Sequence, residues 1–367
     1  MNGYFYVLTI IDLFVLSFMC GLTLLSESLN KKQKRGFCVA FVLIAGISLL
    51  EVVTLVVDGM PPAYRWLNIA ANYLGFGLSP AVPLCFAYVL DKKTSARWEL
   101  RAAACCEAVY LLVLTLSVPF GAVFSVSAEN VYSRGPWFFV YVILYAAGIL
   151  YLAMSTLRTA GRFQNRSKAL VYPLVFFLLA ETTIQVVLPD LHVTWLCVTL
   201  LSVLYFIYCS EMWNQLDALT GLLNQNSYLN RTMELHGMDG VLVVFDVDDF
   251  KQVNDRYGHV QGDVCLAEIA DCIKKAYADC GYCYRIGGDE FCVLLKIAGQ
   301  EAACAQEFLR QMEARREKIG FLPEVSFGAA PFSGEDIAAA KDCADRRMYR
   351  FKKEQKERVR TERSSQP

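Results

Sequence analysis

Two acidic clusters carry the residue types that could do chemistry. Asp246, Asp248 and Asp249 close a short apolar run at 241–248, and Asp289 and Glu290 follow the pair Gly287-Gly288. Hard carboxylate oxygens in such clusters suit Mg²⁺, which takes one or two carboxylates and fills its remaining positions with water and substrate phosphates. Lys251 lies just past the first cluster, where an ammonium could neutralise charge on a transferring phosphoryl group. Gly287 and Gly288 have no Cβ, so a ligand could approach their backbone closely, and both are placed for a tight turn with positive φ. Asn254 and Asp263 could read a guanine edge, whose N–H groups a carboxylate accepts. The combination reads as a two-metal nucleotidyl-transfer site. Taken singly, acidic residues at a strand end are commonly just solvated, and Gly-Gly-Asp-Glu is an ordinary turn. Their joint occurrence with Lys251, Asn254 and Asp263 argues for chemistry.

These residues need a sheet to bring them together. The run "VLVVFDVD" (241–248) predicts a buried strand, "YCYRI" (282–286) and "FCVLLK" (291–296) predict a hairpin across the Gly-Gly-Asp-Glu turn, and "EVSFGAA" (324–330) predicts a fourth strand. Helices are expected near 225–236, 261–278, 300–318 and 335–355. Without the leading helix the order is β-α-β-β-α-β plus a helix, the split βαβ or ferredoxin-like pattern. In that topology the strands ending in the two acidic clusters are neighbours.

The first 210 residues belong to a different physical class. They hold 14 Lys and Arg and 10 Asp and Glu, whereas residues 211–367 hold 21 and 26 in a shorter span. A bilayer-crossing helix needs about 20 apolar residues, and seven stretches qualify: roughly 4–25, 37–57, 66–90, 102–124, 137–157, 169–188 and 193–210. Transmembrane β-strands would instead be about 10 residues long with alternating polarity, a pattern these stretches lack. Basic residues concentrate in alternate connectors: Lys31, Lys32, Lys34 and Arg35; Lys92, Lys93, Arg97 and Arg101; Arg158, Arg162, Arg166 and Lys168. The other connectors carry only Arg65 and Arg134. The positive-inside rule then puts the N-terminus outside and residues after 210 in the cytoplasm. The start "MNGYFYVLTIIDLF" has no basic lead and reads as a retained helix rather than a signal peptide.

Asp12, Glu51, Glu107 and Glu181 fall within these stretches, where a carboxylate marks a cavity, a ligand site or a single interhelical hydrogen bond. Pro80, Pro83 and Pro173 are expected to bend their helices. The 14 cysteines read as reduced and mostly packed. Cys280-Gly281-Tyr282-Cys283 precedes a strand rather than opening a helix, which favours packing over redox or metal chemistry.

"RIGGDEF" (285–291) and "FDVDDFKQVNDRYGHVQGD" (245–263) together resemble the GGDEF, or diguanylate cyclase, family. "DALTGLLN" (217–224) resembles that family's opening motif and "CADRRMYRFKKE" (343–354) its closing helix, so the resemblance covers residues 215–356. It implies condensation of two GTP into cyclic di-GMP with release of two pyrophosphates. Asp246 and the Val247 carbonyl would bind Mg²⁺ with Asp289 and Glu290, two ions per active site with Mn²⁺ as an alternative. Asp289 would also be the base for the attacking 3′-hydroxyl, and Lys251 would stabilise the transition state. Asn254, His259 and Asp263 would contact the nucleotide, with Gly287 and Gly288 beside it, and Lys352 and Lys356 would reach its phosphates. Family members work as face-to-face homodimers. The seven-span layout more distantly resembles sensory modules that precede bacterial histidine kinases and cyclases.

The expected organisation is thus a seven-helix membrane sensory domain (1–210), a short connecting helix (211–216), an α/β ferredoxin-like, nucleotidyl-cyclase-like cytoplasmic domain (217–356) and a charged tail (357–367). Such a protein would be a multi-pass protein of a bacterial inner membrane, regulated by an unknown ligand or signal at its membrane domain, with no nucleic-acid partner. A non-catalytic module that binds GTP or cyclic di-GMP is the alternative. A transporter with an accessory domain would show internal repeats among the spans, and none is seen. Two departures from the family pattern stand out. Asn224 is followed by Gln225 where an Arg is usual, which predicts a weaker structural ion pair. Ala278 and Gly281 occupy the positions of an R-x-x-D inhibitory site, which predicts no product inhibition there.

Overall fold

Helical runs give way to pleated alternation near residue 215, and the chain divides there into two units, Met1–Asn214 and Gln215–Pro367. The computed structural model describes residues 4–90, 97–164, 166–188, 192–235, 238–296, 298–333 and 336–364. Lys92, Lys93 and the side chain of Lys356, all singled out above, lie outside what is described.

The first unit consists of α1 (Tyr4–Leu25), α2 (Lys31–Val57), α3 (Arg65–Leu78), α4 (Ala81–Val89), α5 (Arg97–Ser117), a hairpin of β1 (Phe124–Val126) and β2 (Tyr132–Arg134), then α6 (Phe138–Arg162), α7 (Val171–Val187) and α8 (Thr194–Asn214). Among the described residues, six helical segments are long and apolar enough to cross a membrane. The sixth predicted stretch, 169–188, forms α7, which at 17 residues falls short of that length, so the count of seven is not established. The third stretch is two helices. Pro80 offers no N–H, Ser79 donates its hydroxyl back to the Gly75 carbonyl at 2.6 Å, and the chain restarts as α4. Pro83 and Pro173 sit in the first turns of α4 and α7, where a missing N–H breaks no helical bond. The fourth stretch also ends early: the helix stops at Ser117, and Pro119 and Gly121 (φ +64°) turn the chain into β1.

Polar groups in this unit point inward. Asp12 on α1 accepts from Ser48 on α2 at 3.4 Å, an interhelical bond of the kind expected for a carboxylate in these apolar stretches. Outward faces carry large apolar side chains such as Ile10, Phe14 and Phe176, each more than 60% exposed. At the other end of the bundle Phe37, fully buried, meets Phe206 at 5.0 Å between ring centroids and Trp213 at 6.2 Å, which packs the last turns of α8 against α2.

The second unit runs α9 (Gln225–Glu234), β3 (Asp239–Val247), α10 (Phe250–Tyr257), α11 (His259–Tyr277), β4 (Gly281–Arg285), β5 (Glu290–Leu295), α12 (Glu301–Arg316), β6 (Val325–Ser333) and α13 (Ile337–Ser364). Its sheet is antiparallel throughout with the order β4-β5-β3-β6, so β3 and β5 are the central neighbours the ferredoxin-like pattern requires. Alternation along β3 serves two cores. Val241, Val243, Phe245 and Val247 pack with Ile269, Ile273 and Phe308. Leu242 and Val244 pack with Tyr228, Ala340 and Ala344 on the opposite face. Phe245 meets Phe308 and Tyr277 edge to face at 5.2 and 5.6 Å, contacts worth about 0.5–1.5 kcal/mol each beyond their buried area. Two differences from expectation matter below. The helix predicted at 261–278 is preceded by α10, separated from α11 by Gly258 at φ +84°, and α13 continues as far as Ser364 rather than ending at 355.

Candidate active site

The period of two along a strand decides which acidic residues share a face. Asp246 follows Leu242 and Val244 on the face covered by α13, and Glu290 stands directly opposite it across the β3–β5 ladder. The two predicted clusters therefore meet at one sheet edge. The Val247 N–H donates to the Asp289 carbonyl at 3.3 Å, which ties the turn to the end of β3. Asp248 is the most enclosed member, at 8% exposure. Its N–H donates to the Glu324 carbonyl at 2.9 Å, and its Oδ2 accepts from Ser326 Oγ at 2.7 Å.

Lys352 on α13 closes this edge. Its ammonium pairs with Asp246 Oδ2 and lies 3.0 Å from Asp248 Oδ1. Burial alone would lower the lysine pKa, but the hydrogen bonds and charge of the two aspartates raise it above the ordinary range, so the group stays charged. The resemblance implies phosphate contacts for Lys352; in the structure it rests on the carboxylates, as a stand-in cation. Among the described residues no three acidic, His or Cys side chains converge to hold a metal by themselves. The donor set suits a hard divalent cation on chemical grounds: a carboxylate edge that already draws a cation, with too few protein ligands for a closed cage.

The turn is built differently from its predicted geometry. Neither Gly287 nor Gly288 has a positive φ. Gly287 is close to Glu290: a Cβ there would stand 3.0 Å from the Glu290 carboxylate and 3.2 Å from its Cβ, so the Glu290 side chain would have to shift slightly. Gly288 is open, with nothing within 4 Å of where a Cβ would be. Arg285 braces the turn from below by donating to the Gly288 carbonyl at 2.7 Å, and its Nη1 contacts Asp217 Oδ1 at 3.1 Å. Asp217 also accepts from the Thr220 N–H and hydroxyl at 2.8 and 2.6 Å. Burial pushes the Asp217 carboxyl up, yet the bonds from Thr220 and Arg285 outweigh it and hold the group below the usual aspartate range. The opening motif is thereby locked to the Gly-Gly-Asp-Glu turn. Asn224 caps α9 through the Ser227 N–H at 2.9 Å, and Gln225 is an exposed first residue of that helix.

The remaining residues form a second patch. Asp249 adopts φ +52°, a left-handed conformation that Asp tolerates better than most residues, and starts α10 immediately after β3. Lys251 and Asn254 lie on α10; His259 and Asp263 are one helical turn apart on α11, exposed on the same face. Gly262 lets the two helices meet, because a Cβ there would fall 2.0 Å from Asn254 Oδ1. This sets Asn254 against Gly262, the residue before Asp263. Sequence reasoning missed the roles of Arg285 and Asp217, and placed Asp248 in the cluster without a task. The D-V-D spacing was the available signal for Asp248, since it sets both aspartates on one strand face. Cys283 is fully buried and burial pushes its thiol up to about 12, as packing rather than redox chemistry requires.

Comparison with known proteins agrees with this geometry. Residues 214–358 match the family described as diguanylate cyclase, GGDEF domain. Diguanylate cyclase DgcZ of Escherichia coli is 36% identical over 104 residues, covering 27% of this chain and 35% of that protein. Diguanylate cyclase DgcS of Shewanella oneidensis is 39% identical over 93 residues, covering 23% and 31%. The GGDEF domain of DgcB from Caulobacter crescentus, solved with c-di-GMP, is 26% identical with a TM-score of 0.33, covering 38% of this chain and 90% of that one. The chain thus spans only about a third of the length of these two curated relatives. Residues 214–358 are a GGDEF domain of the diguanylate cyclase family.

Proposed function

We propose that this chain is a membrane-anchored diguanylate cyclase that condenses two GTP into cyclic di-GMP and releases two pyrophosphates. The observation that carries this reading is the intact Gly-Gly-Asp-Glu-Phe turn, set opposite Asp246 within a domain that matches the family. Asp246, the Val247 carbonyl, Asp289 and Glu290 would hold Mg²⁺, two ions per site with Mn²⁺ as an alternative; the metal's contribution is to bind the triphosphate and offset its charge. Asp289 accepts the proton of the 3′-hydroxyl as its oxygen attacks the α-phosphorus of the second GTP. Lys251 sits where it offsets charge on the transferring group. Asn254 and Asp263 select guanine, and His259 lies beside them. Lys352 leaves its aspartates for the incoming phosphates, and Lys356 lies one turn further along the same helix. Each domain holds one GTP, so the reaction needs a homodimer. The first unit anchors the enzyme in a bacterial inner membrane with the N-terminus outside and the cyclase in the cytoplasm, and it regulates the dimer.

The test is the full-length protein in detergent with GTP and Mg²⁺, with cyclic di-GMP measured by chromatography. Wild type should form product, and Asp289→Ala should lose about 10²–10⁴-fold in rate, the range for removing a general base. GTP binding without product from a dimeric wild type would favour the non-catalytic module.

A further inference from the structure

The first unit contains a cavity of about 210 Å³ near the ends of α2 and α7 and the start of α8. It is larger than the ~150 Å³ engineered cavity that accepts a benzene ring. Six aromatic side chains line it: Phe76, Tyr132, Phe138, Tyr141, Tyr145 and Trp195. Two carboxylates, Glu51 and Asp58, also reach it. Asp58 is committed to structure, accepting from the Tyr132 N–H at 2.7 Å and from Asn68 Nδ2 at 3.0 Å. Glu51 is less committed. His192 Nδ1 lies 3.2 Å from its Oε1, and its side chain stays 17% accessible on the cavity wall.

Among the described residues, the one arginine in the wall is engaged elsewhere. Arg134 donates to the Val186 carbonyl at 2.9 Å, and its guanidinium stacks 4.5 Å from the Phe138 ring centroid. A further acidic residue stands near the wall. Glu181, adjacent in sequence to the lining residue Thr182, is 8% exposed, and neither carboxylate oxygen meets a hydrogen-bond partner among the described residues. Burying an acid without a partner is costly inside a membrane bundle. An aromatic box with an accessible carboxylate and surplus acidic groups attracts positive charge through both the ring quadrupoles and direct Coulomb interaction.

We propose that this cavity is a binding site for a small organic cation, a protonated or quaternary amine carrying one ring or a short apolar body. The ammonium pairs with Glu51 and the apolar part packs among the rings. This deepens the regulatory reading of the first unit and rests on it only for the effect on catalysis.

The test uses full-length protein in detergent, with benzylamine, phenethylamine and benzyltrimethylammonium as probes and benzyl alcohol and benzoate as neutral and anionic controls. Binding is followed by quenching of tryptophan fluorescence, with Trp195 in the wall, and by the thermal shift of the first unit. At least one amine should bind, the controls at least about tenfold more weakly, and Glu51→Gln should weaken the amine by about tenfold. Benzyl alcohol or benzoate binding as tightly as every amine, or no amine binding at all, would overturn the site. Should Glu51→Gln fail to fold, Gly75→Leu serves instead. Gly75 lines the cavity within α3 with nothing within 4 Å of its Cβ position, so the added side chain should fill space without strain and abolish binding. Cyclic di-GMP output is recorded in parallel: binding without any change in output would overturn the regulatory role while leaving the site intact.

Discussion

Burial of polar groups means opposite things in the two units. Of the 18 polar or charged residues buried among the described residues, 16 lie in the first unit, including Asp12, Asn68, Asn130, Thr159 and Thr199. The other two, Asp248 and Ser326, are bonded to each other at the candidate active-site edge. A bundle meant for lipid turns apolar surface outward and uses small polar side chains for packing between helices. A domain meant for water packs its interior with apolar groups and buries a polar pair only where chemistry requires it. A buried Ser is therefore unremarkable packing in the first unit and a pointer to the site in the second.

Matched substitutions test that contrast. The largest expected difference is between two glycines. A Cβ on Gly281 would stand 2.4 Å from the Leu294 carbonyl oxygen, whereas Gly46 in α2 has nothing within 4 Å. Gly281→Ala should cost the GGDEF domain about 2–3 kcal/mol, and Gly46→Ala should be neutral or stabilising by up to ~1 kcal/mol, read from the melting of each unit. The same crowding means that an Asp at 281 would not restore an inhibitory site, and added cyclic di-GMP should leave turnover unchanged through residues 278–281.

A smaller difference separates two serines. Ser326→Ala removes a hydrogen bond to the buried Asp248 carboxylate and should cost about 1.5–3 kcal/mol. Ser202→Ala removes only a bond to the Thr199 carbonyl one turn back and should cost about 0.6 kcal/mol or less. Equal losses would mean that the two interiors are not different solvents after all.

The smallest effect is electrostatic. The Asp217 carboxyl is held below its ordinary range in the folded state, so its contribution is present above the unfolded aspartate pKa of about 3.9 and is lost as pH falls through the folded value. Between pH 6 and pH 3 wild type should lose more thermal stability than Asp217→Asn, by up to ~1 kcal/mol. Identical pH profiles would show that Arg285 braces the turn without Asp217.

Much of the second unit was legible because its signals are local. The run at 241–248 alternates with the pleat, the Gly-Gly-Asp-Glu turn marks its own hairpin, and the catalytic candidates lie within a few residues of these features. The division of α10 from α11 was harder to read, since it depends on the left-handed Gly258 and on the close approach of Gly262 to Asn254. In the first unit hydropathy located the helices, yet it carries no information about where one breaks inside an apolar run. Ser79 and Pro80 interrupt the third stretch, and residues 118–124, which turn the chain into a small hairpin, are apolar enough to extend the fourth.

What the sequence by itself determined is the residue inventory: an apolar helical segment, a charged α/β segment and a GGDEF signature with its acidic clusters. Composition, periodicity and motif spacing are properties of the chain read along its length. What only the tertiary structure decided is who meets whom. Lys352 rests on Asp246 from 106 residues away, Arg285 clamps Asp217 across 68, and Glu51 faces His192 across 141 at the wall of a cavity. Such pairings follow from how whole helices and strands pack, and short-range periodicity does not encode them.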